Sequence, residues 1–334
     1  MNLVNCCKEL LLEHENGHAW AIRRTRMRCY THVWWSGSFQ VKDMKKILQI
    51  SLLSTLVLLM TLSAFAQQLY ISNESKMSLE LLDFGVTPPA LTTLFTAPAK
   101  LDDLTLNAQG QLIYSIPSLG QVDLYDPVAQ QNSVLVTGVK LARDLEIEPG
   151  GQSMLIAIYS PGGIVRFNFA TGTITTLAKK LGTCDGIAYD PYGNLYAVAN
   201  HNTIVQIDPV AGTILNTLVL EPHHGINGAD GLTYDSYSGN LWATHDGTTG
   251  PGVLQIPITA TGLSGTYTFY LFTLLSRKGV APDGIKSDGL GNLYIGGIWN
   301  VVVFNIPTSA ITQTVVVSGA DGVSLVPGTY PKSH

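Results

Sequence analysis

Residues 185–200 read DGIAYDPYGNLYAVAN, and the fold is decided by this stretch and its copies. It recurs from Asp230 as DGLTYDSYSGNLWATH and from Asp283 as DGIKSDGLGNLYIGGI. Each copy has an Asp-Gly pair, a turn rich in Asp, Gly and Asn, and then Leu, an aromatic residue and a short apolar run. Such turn residues between two apolar segments are typical of a β-hairpin. A hairpin that recurs along the chain predicts a repeat architecture built from strands.

Further copies extend the repeat to six. Degenerate copies begin at Asp103 and Asp144, and a truncated copy begins at Asp321. The six Asp residues are 41, 41, 45, 53 and 38 positions apart. The third repeat predicts four strands, over residues 186–189, 194–199, 203–207 and 214–220. Four short strands in about 40 residues, repeated radially, are typical of a β-propeller blade.

The two ends of the repeat region indicate how the ring closes. The copy at Asp321 supplies one strand and stops at Pro327, while residues 69–72 and 77–82 read as later strands of the same blade. One blade shared between the two ends removes two open sheet edges. We therefore expect an all-β fold, a six-bladed β-propeller with four-stranded blades and a ring closed by N- and C-terminal strands in one shared blade.

The amino end differs from the repeats. Residues 44–46 read MKK, residues 47–65 carry no charge, and the run ends in Ala64-Phe65-Ala66. This order is typical of a secretory signal peptide at 44–66, cleaved after Ala66. Residues 1–43 are then an upstream start-site artefact or an unstructured leader, and 67–334 form the propeller. The alternative is that the 47–65 run, close to the ~20 residues that cross a bilayer, is an uncleaved membrane anchor.

Composition limits the partners and the compartment. The 334 residues are 46% hydrophobic and 13% charged, with a net charge of −5, which excludes a disordered chain. Apart from a short Arg cluster near the start there is no basic block, so we expect no nucleic-acid partner. Cys184 is the one cysteine after residue 66, so an exported chain has no internal disulfide. We expect a secreted or periplasmic monomer without stable membrane insertion after cleavage.

The repeated Asp residues are the first candidates for a site. The Asp that begins each repeat is expected to open the innermost strand, near the rim of the channel. Six carboxylates around one funnel raise each other's pKa, and a divalent cation, backbone N–H donors or protonation must offset the repulsion. Oxygen ligands suit Ca²⁺ or Mg²⁺. The alternative is that each Asp accepts N–H bonds from its own turn. The six are Asp103, Asp144, Asp185, Asp230, Asp283 and Asp321.

Over about residues 69–327 the repeat resembles NHL-type repeats and the senescence-marker-protein/gluconolactonase-like group of six-bladed, TolB-like propellers. The resemblance implies a cation on the channel axis, held by Asp103, Asp230 and Asp283. Residues 282–284 match the group's Pro-Asp-Gly ligand motif, whereas Asp230 replaces Asn and Asp103 replaces Glu. The implied activity is metal-dependent hydrolysis of a lactone or ester with Asp283 as general base. Cys184 replaces a substrate-contacting Asn beside Asp185, so the resemblance implies ligand contacts at both.

Histidines form a second set of candidates. His201, His224 and His245 are expected at one mouth of the funnel, where His201 contacts the ligand and His224 and His245 act in acid–base catalysis. Asn227 lies in the same segment as His224 and is a further candidate for ligand binding. The alternative is that these are exposed loop histidines.

Three functional interpretations remain open. The first is an exported propeller that binds a divalent cation, a small-molecule ligand or both in its funnel and acts as a lactonase-like hydrolase. The second is a non-catalytic propeller that binds an extracellular protein or a glycan, since propellers host many functions. The third is a lyase of the streptogramin-inactivating type, which needs a histidine near Mg²⁺. A serine hydrolase is disfavoured because the chain has no Gly-x-Ser-x-Gly motif.

Overall fold

The computed structural model describes residues 68–220, 228–247, 250–272 and 281–329. All of them belong to the compact unit Leu62–His334, and they form strands and turns. In these ranges no helix is long and apolar enough to cross a membrane. The leader at 1–43, the signal peptide at 44–66 and the alternative anchor at 47–65 lie outside the described residues, so they stay predictions.

Twenty-five strands are present in the described ranges. The first three are β1 (Gln68–Asn73), β2 (Ser78–Asp83) and β3 (Ala90–Thr96). The next twelve, in three sets of four, are β4 (Leu104–Leu106), β5 (Leu112–Ile116), β6 (Gln121–Asp126), β7 (Gln131–Thr137), β8 (Ala142–Ile147), β9 (Ser153–Ile158), β10 (Gly163–Asn168), β11 (Ile174–Lys179), β12 (Cys184–Tyr189), β13 (Leu195–Ala199), β14 (Thr203–Ile207) and β15 (Ile214–Val219). The last ten are β16 (Ala229–Asp235), β17 (Asn240–His245), β18 (Gly252–Thr259), β19 (Gly262–Leu263), β20 (Thr268–Leu271), β21 (Pro282–Ser287), β22 (Asn292–Gly297), β23 (Asn300–Asn305), β24 (Ala310–Val316) and β25 (Ala320–Leu325).

These strands form six antiparallel sheets, each one blade of a six-bladed β-propeller. Blades 1, 2 and 3 are β4–β7, β8–β11 and β12–β15, and blade 5 is β21–β24. Blade 6 has the order β25-β1-β2-β3, so the carboxyl-terminal strand is the innermost strand of a sheet that three amino-terminal strands complete. The predicted fold class and the shared blade are confirmed.

The innermost strands make the wall of the central channel. Neighbouring inner strands contact each other in the closed order β4, β8, β12, β16, β21, β25 and back to β4. A closed ring leaves no inner strand without a neighbour on either side. Residues that share a position on these six strands therefore come together around one axis.

Blade 4 explains the longest repeat spacing. Its sheet has the order β16-β17-β18-β20, and the two-residue strand β19 pairs with the end of β18. This extra hairpin extends the blade, and it accounts for part of the 53 positions between Asp230 and Asp283.

The strand predictions in the third repeat are confirmed, because the turn residues act as predicted. The Asp190 Oδ1 atom accepts the backbone N–H groups of Tyr192 and Asn194, both at 2.9 Å. Gly193 supplies the left-handed backbone of this turn, with φ of 85°. This second Asp of the repeat is a turn cap, and Asp288 has the same role in blade 5.

The core lies between blades. Tyr196, Trp242 and Tyr294 recur at one repeat position, and each is at most 1% exposed. Tyr196 packs against blade 4, Trp242 against blade 5 and Tyr294 against blade 6. All three therefore pack between neighbouring blades. The Tyr196 hydroxyl donates to Asp190 Oδ2 at 2.8 Å, and the Trp242 indole N–H donates to Ser238 Oγ at 3.0 Å, so the polar ends are also satisfied.

Candidate functional site

All six repeat Asp residues line one cavity at the channel axis. Asp103 immediately precedes β4, and the other five lie on β8, β12, β16, β21 and β25. The cavity is called the funnel here, and it opens to solvent; the space between its lining atoms, including the part that is open solvent, is about 360 Å³. Each of the six lies on an inner strand or directly before one, so the closed ring of strands brings residues up to 218 positions apart into one site.

A β-bulge positions these Asp residues. In blade 4 the register of β16 against β17 shifts between Ala229 and Leu232, which places Asp230 and Gly231 together opposite Thr244. The same shift occurs at the corresponding positions of blades 2, 3, 5 and 6. A bulge redirects a side chain that regular pairing would place elsewhere, and here it accompanies every Asp-Gly pair of the inner strands.

Four of the six Asp residues precede a glycine that is required by a close contact with the next blade, and these glycines are Gly186, Gly231, Gly284 and Gly322. A Cβ on Gly186 would lie 2.4 Å from the carbonyl oxygen of Asp230, and one on Gly231 would lie 2.4 Å from the carbonyl oxygen of Asp283. Real Cβ atoms do not approach a backbone oxygen this closely. The Asp-Gly signal therefore has two parts: the Asp lines the funnel, and the Gly lets neighbouring blades approach.

Two basic side chains line the funnel as well, and the sequence analysis missed both. The Arg143 guanidinium is hydrogen-bonded to the Asp102 carboxylate. Lys286 extends from blade 5 towards blade 2, where its Nζ is 3.9 Å from Glu146 Oε2. Glu146, the partner of Lys286, is two positions after Asp144 on β8. Because strand side chains alternate with a period of two residues, the position of Asp144 was a signal that could have identified Glu146.

Burial and mutual repulsion raise the pKa values of the funnel carboxyls. Burial, followed by the charge of Asp144, holds the pKa of Asp103 well above its usual range. Burial, followed by the charge of Asp283, does the same for Asp321. Asp103 donates a hydrogen bond to Asp144, and Asp321 donates one to Asp283. Each of these two hydrogen bonds joins carboxyls from neighbouring blades.

The repulsion expected from the sequence is offset in several ways. Besides these hydrogen bonds between carboxyls, Asp144 accepts the backbone N–H groups of Leu145 at 2.7 Å and Ile187 at 2.6 Å. Burial alone would lower the pKa of Lys286, but Asp144, Asp103 and Glu146 together raise it, so the ammonium stays charged. These offsets act mainly around blades 1 and 2 and between blades 5 and 6.

The offsets differ at Asp185 and Asp230, the funnel carboxyls of blades 3 and 4. Burial, then the charges of Asp283 and Asp185, hold the pKa of Asp230 well above its usual range. Burial also raises the pKa of Asp185 to about 6, although His201 and Arg143 oppose the increase. The Asp185 side chain is only 6% exposed, and its Oδ2 atom has no hydrogen bond to the described part of the chain.

His201 completes a group of three residues whose side chains can ligate a metal ion, beside the funnel carboxyls of blades 3 and 4. One donor atom from each of Asp185, His201 and Asp230 lies within 4.8 Å of the others, and among the described residues no other group meets this condition. His201 Nδ1 is 3.3 Å from Asp185 Oδ2, and the imidazole is 31% exposed. His201 is not among the residues that line the funnel. The trio therefore consists of two funnel carboxyls and an imidazole beside Asp185.

The local backbone holds His201 in place. Asn200 and His201 both have left-handed backbone, with φ of 53° and 57°, a conformation that costs free energy for residues with a side chain. The His201 carbonyl accepts the N–H of Ala229 at 2.8 Å, which ties the turn to the start of blade 4. His201 Nε2 is 3.2 Å from the Tyr159 hydroxyl.

The other predicted site residues are placed as follows. His245 is fully buried at the end of β17, with Nδ1 3.0 Å from the Gly250 carbonyl and its ring against Phe269. Cys184 is fully buried in the core between blades 2 and 3, and burial raises the pKa of its thiol. Neither is among the side chains that line the funnel. The ligand and catalytic roles assigned to them stay predictions.

Two further candidates, His224 and Asn227, lie outside the described residues. Of the cation ligands that the resemblance implies, Asp103, Asp230 and Asp283 all line the funnel. Asp230 alone belongs to the trio with Asp185 and His201, since Asp103 and Asp283 are hydrogen-bonded to other carboxyls. Their role as ligands stays a prediction.

No protein-family model matches the sequence, and no curated protein matches it. Solved structures do match. A chain of a nidogen/laminin complex has 15% identity and a TM-score of 0.63, over 78% of this chain and 98% of that one. Virginiamycin B lyase from Staphylococcus aureus has 14% identity and a TM-score of 0.55, over 76% and 84%. Hydrazine synthase from Kuenenia stuttgartiensis has 14% identity and a TM-score of 0.56, over 76% and 84%. Likeness at this identity supports the propeller fold alone.

Proposed function

We propose that this chain is an exported β-propeller that binds a divalent cation at the mouth of its funnel, and through it a small-molecule ligand. Asp185, His201 and Asp230 are the proposed ligands of the cation. The observation that carries the proposal is the buried Asp185 Oδ2 atom, which has no hydrogen bond among the described residues and lies beside an imidazole and a second carboxyl.

The electrostatics of the trio support a cation. Burial is the main cause that raises the pKa of Asp230, and the charges of other carboxyls raise it further. Burial also raises the pKa of Asp185. A divalent ion would reverse both shifts, because it stabilises the ionised forms. Two carboxylates and one imidazole combine oxygen and nitrogen donors, which suits Mn²⁺ or Zn²⁺ at least as well as Ca²⁺ or Mg²⁺.

Hydrolysis of a lactone or ester is the activity proposed for this site, as the gluconolactonase-like repeat implies. A bound cation would supply polarisation of a carbonyl group and a more acidic water molecule. Asp283 is the proposed general base. It lines the funnel, burial raises its pKa, and a carboxylate with a raised pKa is a stronger base at neutral pH.

Two alternative functions remain as proposals, a lyase and a non-catalytic binding protein. A lyase of the streptogramin-inactivating type needs a histidine near the cation, and His201 has that position in addition to the predicted His224 and His245. A non-catalytic propeller would bind an extracellular protein or glycan through its loops. The exposed side chains of Ile298 and Trp299, 47% and 51% exposed between β22 and β23, favour that alternative.

The test is calorimetric titration of the purified, metal-stripped protein with Mn²⁺, Zn²⁺, Ca²⁺ and Mg²⁺ in turn. We expect one site per chain for at least one of these ions, with affinity reduced at least tenfold by Asp230→Asn and by His201→Ala. Asp208→Asn is the matched control. Asp208 is a turn cap for Val210 and Ala211, and Asn also caps such turns.

Failure of all four ions to bind the unmodified protein would remove the cation from the account. Binding that survives His201→Ala, but is lost in both Asp230→Asn and Asp283→Asn, would instead move the ion to the axial set Asp103, Asp230 and Asp283. A cation-binding protein that passes the first test is then assayed against lactones and esters, with Asp283→Asn as the inactive variant.

A further inference from the structure

Tyr159 is the one side chain, among those described, that has a hydrogen bond to the imidazole of His201 on the side away from Asp185. It lies directly after β9, in the loop that leads to β10 of blade 2. Its hydroxyl is 3.2 Å from His201 Nε2. The two rings are 5.7 Å apart between centroids. His201 thus has Asp185 at Nδ1 and Tyr159 at Nε2.

The position of Tyr159 is itself fixed by two contacts. Its backbone N–H donates to the Leu141 carbonyl at 2.9 Å. The Arg143 guanidinium lies over its ring, 4.9 Å from the centroid, and Arg143 is paired with Asp102. A cation over an aromatic face is attractive, so the hydroxyl is held where His201 needs it.

When His201 Nδ1 binds a cation, the proton of a neutral ring must lie on Nε2. In the cation-free protein Nδ1 lies 3.3 Å from Asp185 Oδ2, and Nε2 lies 3.2 Å from the Tyr159 hydroxyl, which can donate to Nε2 when the ring proton is on Nδ1. A nitrogen that ligates a cation carries no proton, so the proton of a neutral ring then lies on Nε2. That N–H group needs an acceptor. A hydroxyl both donates and accepts, whereas a Phe ring at this position would do neither.

We propose that Tyr159 is a positioning residue of the cation site, which sets the tautomer of His201 by reversing the direction of one hydrogen bond. The hydroxyl donates to Nε2 in the cation-free protein and accepts from the Nε2–H group in the cation-bound protein. This inference rests on the proposed function, because it needs a cation at Asp185, His201 and Asp230. It adds a residue that touches no ligand and acts through His201.

Tyr159→Phe is the test, because it removes the hydroxyl and keeps the ring on which Arg143 packs. We expect the affinity for the ion that binds the unmodified protein to fall ten- to a hundredfold, the range for partners of metal-ligating histidines. Tyr192→Phe is the control. Tyr192 is 62% exposed and lies before β13, whereas His201 lies after that strand.

A second readout reports the tautomer directly. Nitrogen-15 NMR of His201 in the unmodified protein should show the proton on Nδ1 without a cation and on Nε2 with Zn²⁺, which is diamagnetic. Tyr159→Phe should reduce the change. Because this readout needs only the unmodified protein for its first part, a variant that fails to fold leaves the inference testable.

The outcomes separate the two claims. No cation binding by the unmodified protein overturns both the proposed function and the role of Tyr159. Cation binding with equal affinity in Tyr159→Phe, or a proton that stays on Nδ1 in the presence of Zn²⁺, overturns the role of Tyr159 and leaves the cation site in place.

Discussion

At the scale of single residues, the funnel is an acidic site that also contains two positively charged side chains. Arg143 and Lys286 lie among carboxyls from several blades, and each has a pKa raised by those charges against the effect of burial. A buried charge costs free energy unless it is paired. The charge balance of the funnel therefore depends on two basic residues that the repeat pattern does not contain.

Lys286→Met removes one of these cations. We expect a loss of about 3 kcal/mol in the free energy of unfolding at neutral pH, because Glu146, Asp144 and Asp103 then lose the ammonium that faces them. The loss should be smaller at pH 5, where more of the carboxyls are protonated. Chemical denaturation at both pH values measures it.

The double variant Lys286→Met with Glu146→Gln is the control. It removes the charge of the partner as well and should regain part of the lost stability. Equal stability of Lys286→Met and the unmodified protein at neutral pH would show that the ammonium contributes nothing to the charge balance.

At the scale of secondary-structure elements, the bulge of the inner strand of blade 4 is stabilised by the second strand and by the next blade. In blade 4 the Gly231 N–H donates to Thr244 Oγ1 at 2.8 Å, and this hydroxyl donates to the Asp283 carbonyl of blade 5 at 2.6 Å. Ser72 has a related role in blade 6, where its hydroxyl accepts the N–H of Gly322 at 2.8 Å. One hydroxyl thus connects a bulge to the neighbouring blade.

Thr244→Val keeps the shape of this side chain and removes the hydroxyl. The Gly231 N–H and the Asp283 carbonyl each lose a buried partner, and we expect a loss of about 1–3 kcal/mol in unfolding free energy. Thr244→Ser keeps the hydroxyl and should cost less than about 1 kcal/mol. Thermal and denaturant unfolding of both variants make the comparison, and equal losses would contradict the role of the hydroxyl.

The sequence predicted elements well and contacts between blades less well. The copies at Asp185, Asp230 and Asp283 predicted the hairpins, the six-bladed ring and the convergence of six Asp residues, because local turn chemistry and a regular repeat determine them. The trio of Asp185, His201 and Asp230 was not predicted as a group. Its geometry depends on the left-handed turn at His201 and on the bulges in the inner strands of blades 3 and 4. Neither feature follows from the spacing of the repeats.

At the scale of the whole molecule, the funnel makes stability depend on pH. Burial is the main cause that raises the pKa of Asp102 to about 7, of Asp185 to about 6 and of Glu146 to about 7. In the unfolded chain these groups titrate near pH 4. The folded protein therefore keeps protons between pH 4 and pH 7 that the unfolded chain has lost.

The sign follows from this difference in bound protons. Where the folded state binds more protons than the unfolded state, the free energy of unfolding falls as pH rises. We expect the metal-free protein to lose at least about 2 kcal/mol of unfolding free energy between pH 5 and pH 8. Denaturant titrations across this range measure it, and stability that is constant or increases with pH would contradict the raised pKa values.

A saturating divalent cation should reduce this pH dependence. The ion stabilises the ionised forms of Asp185 and Asp230 and binds the folded state alone, so it adds stability most strongly at the higher pH. Repeating the titrations with the ion that binds in calorimetry measures the difference.

The most direct test of the cation site is anomalous X-ray diffraction from a crystal of the purified protein soaked in Mn²⁺. The account predicts one anomalous peak at the mouth of the funnel, within bonding distance of Asp185, His201 and Asp230. A peak on the channel axis between Asp103 and Asp283, or no peak in the funnel at all, would contradict it.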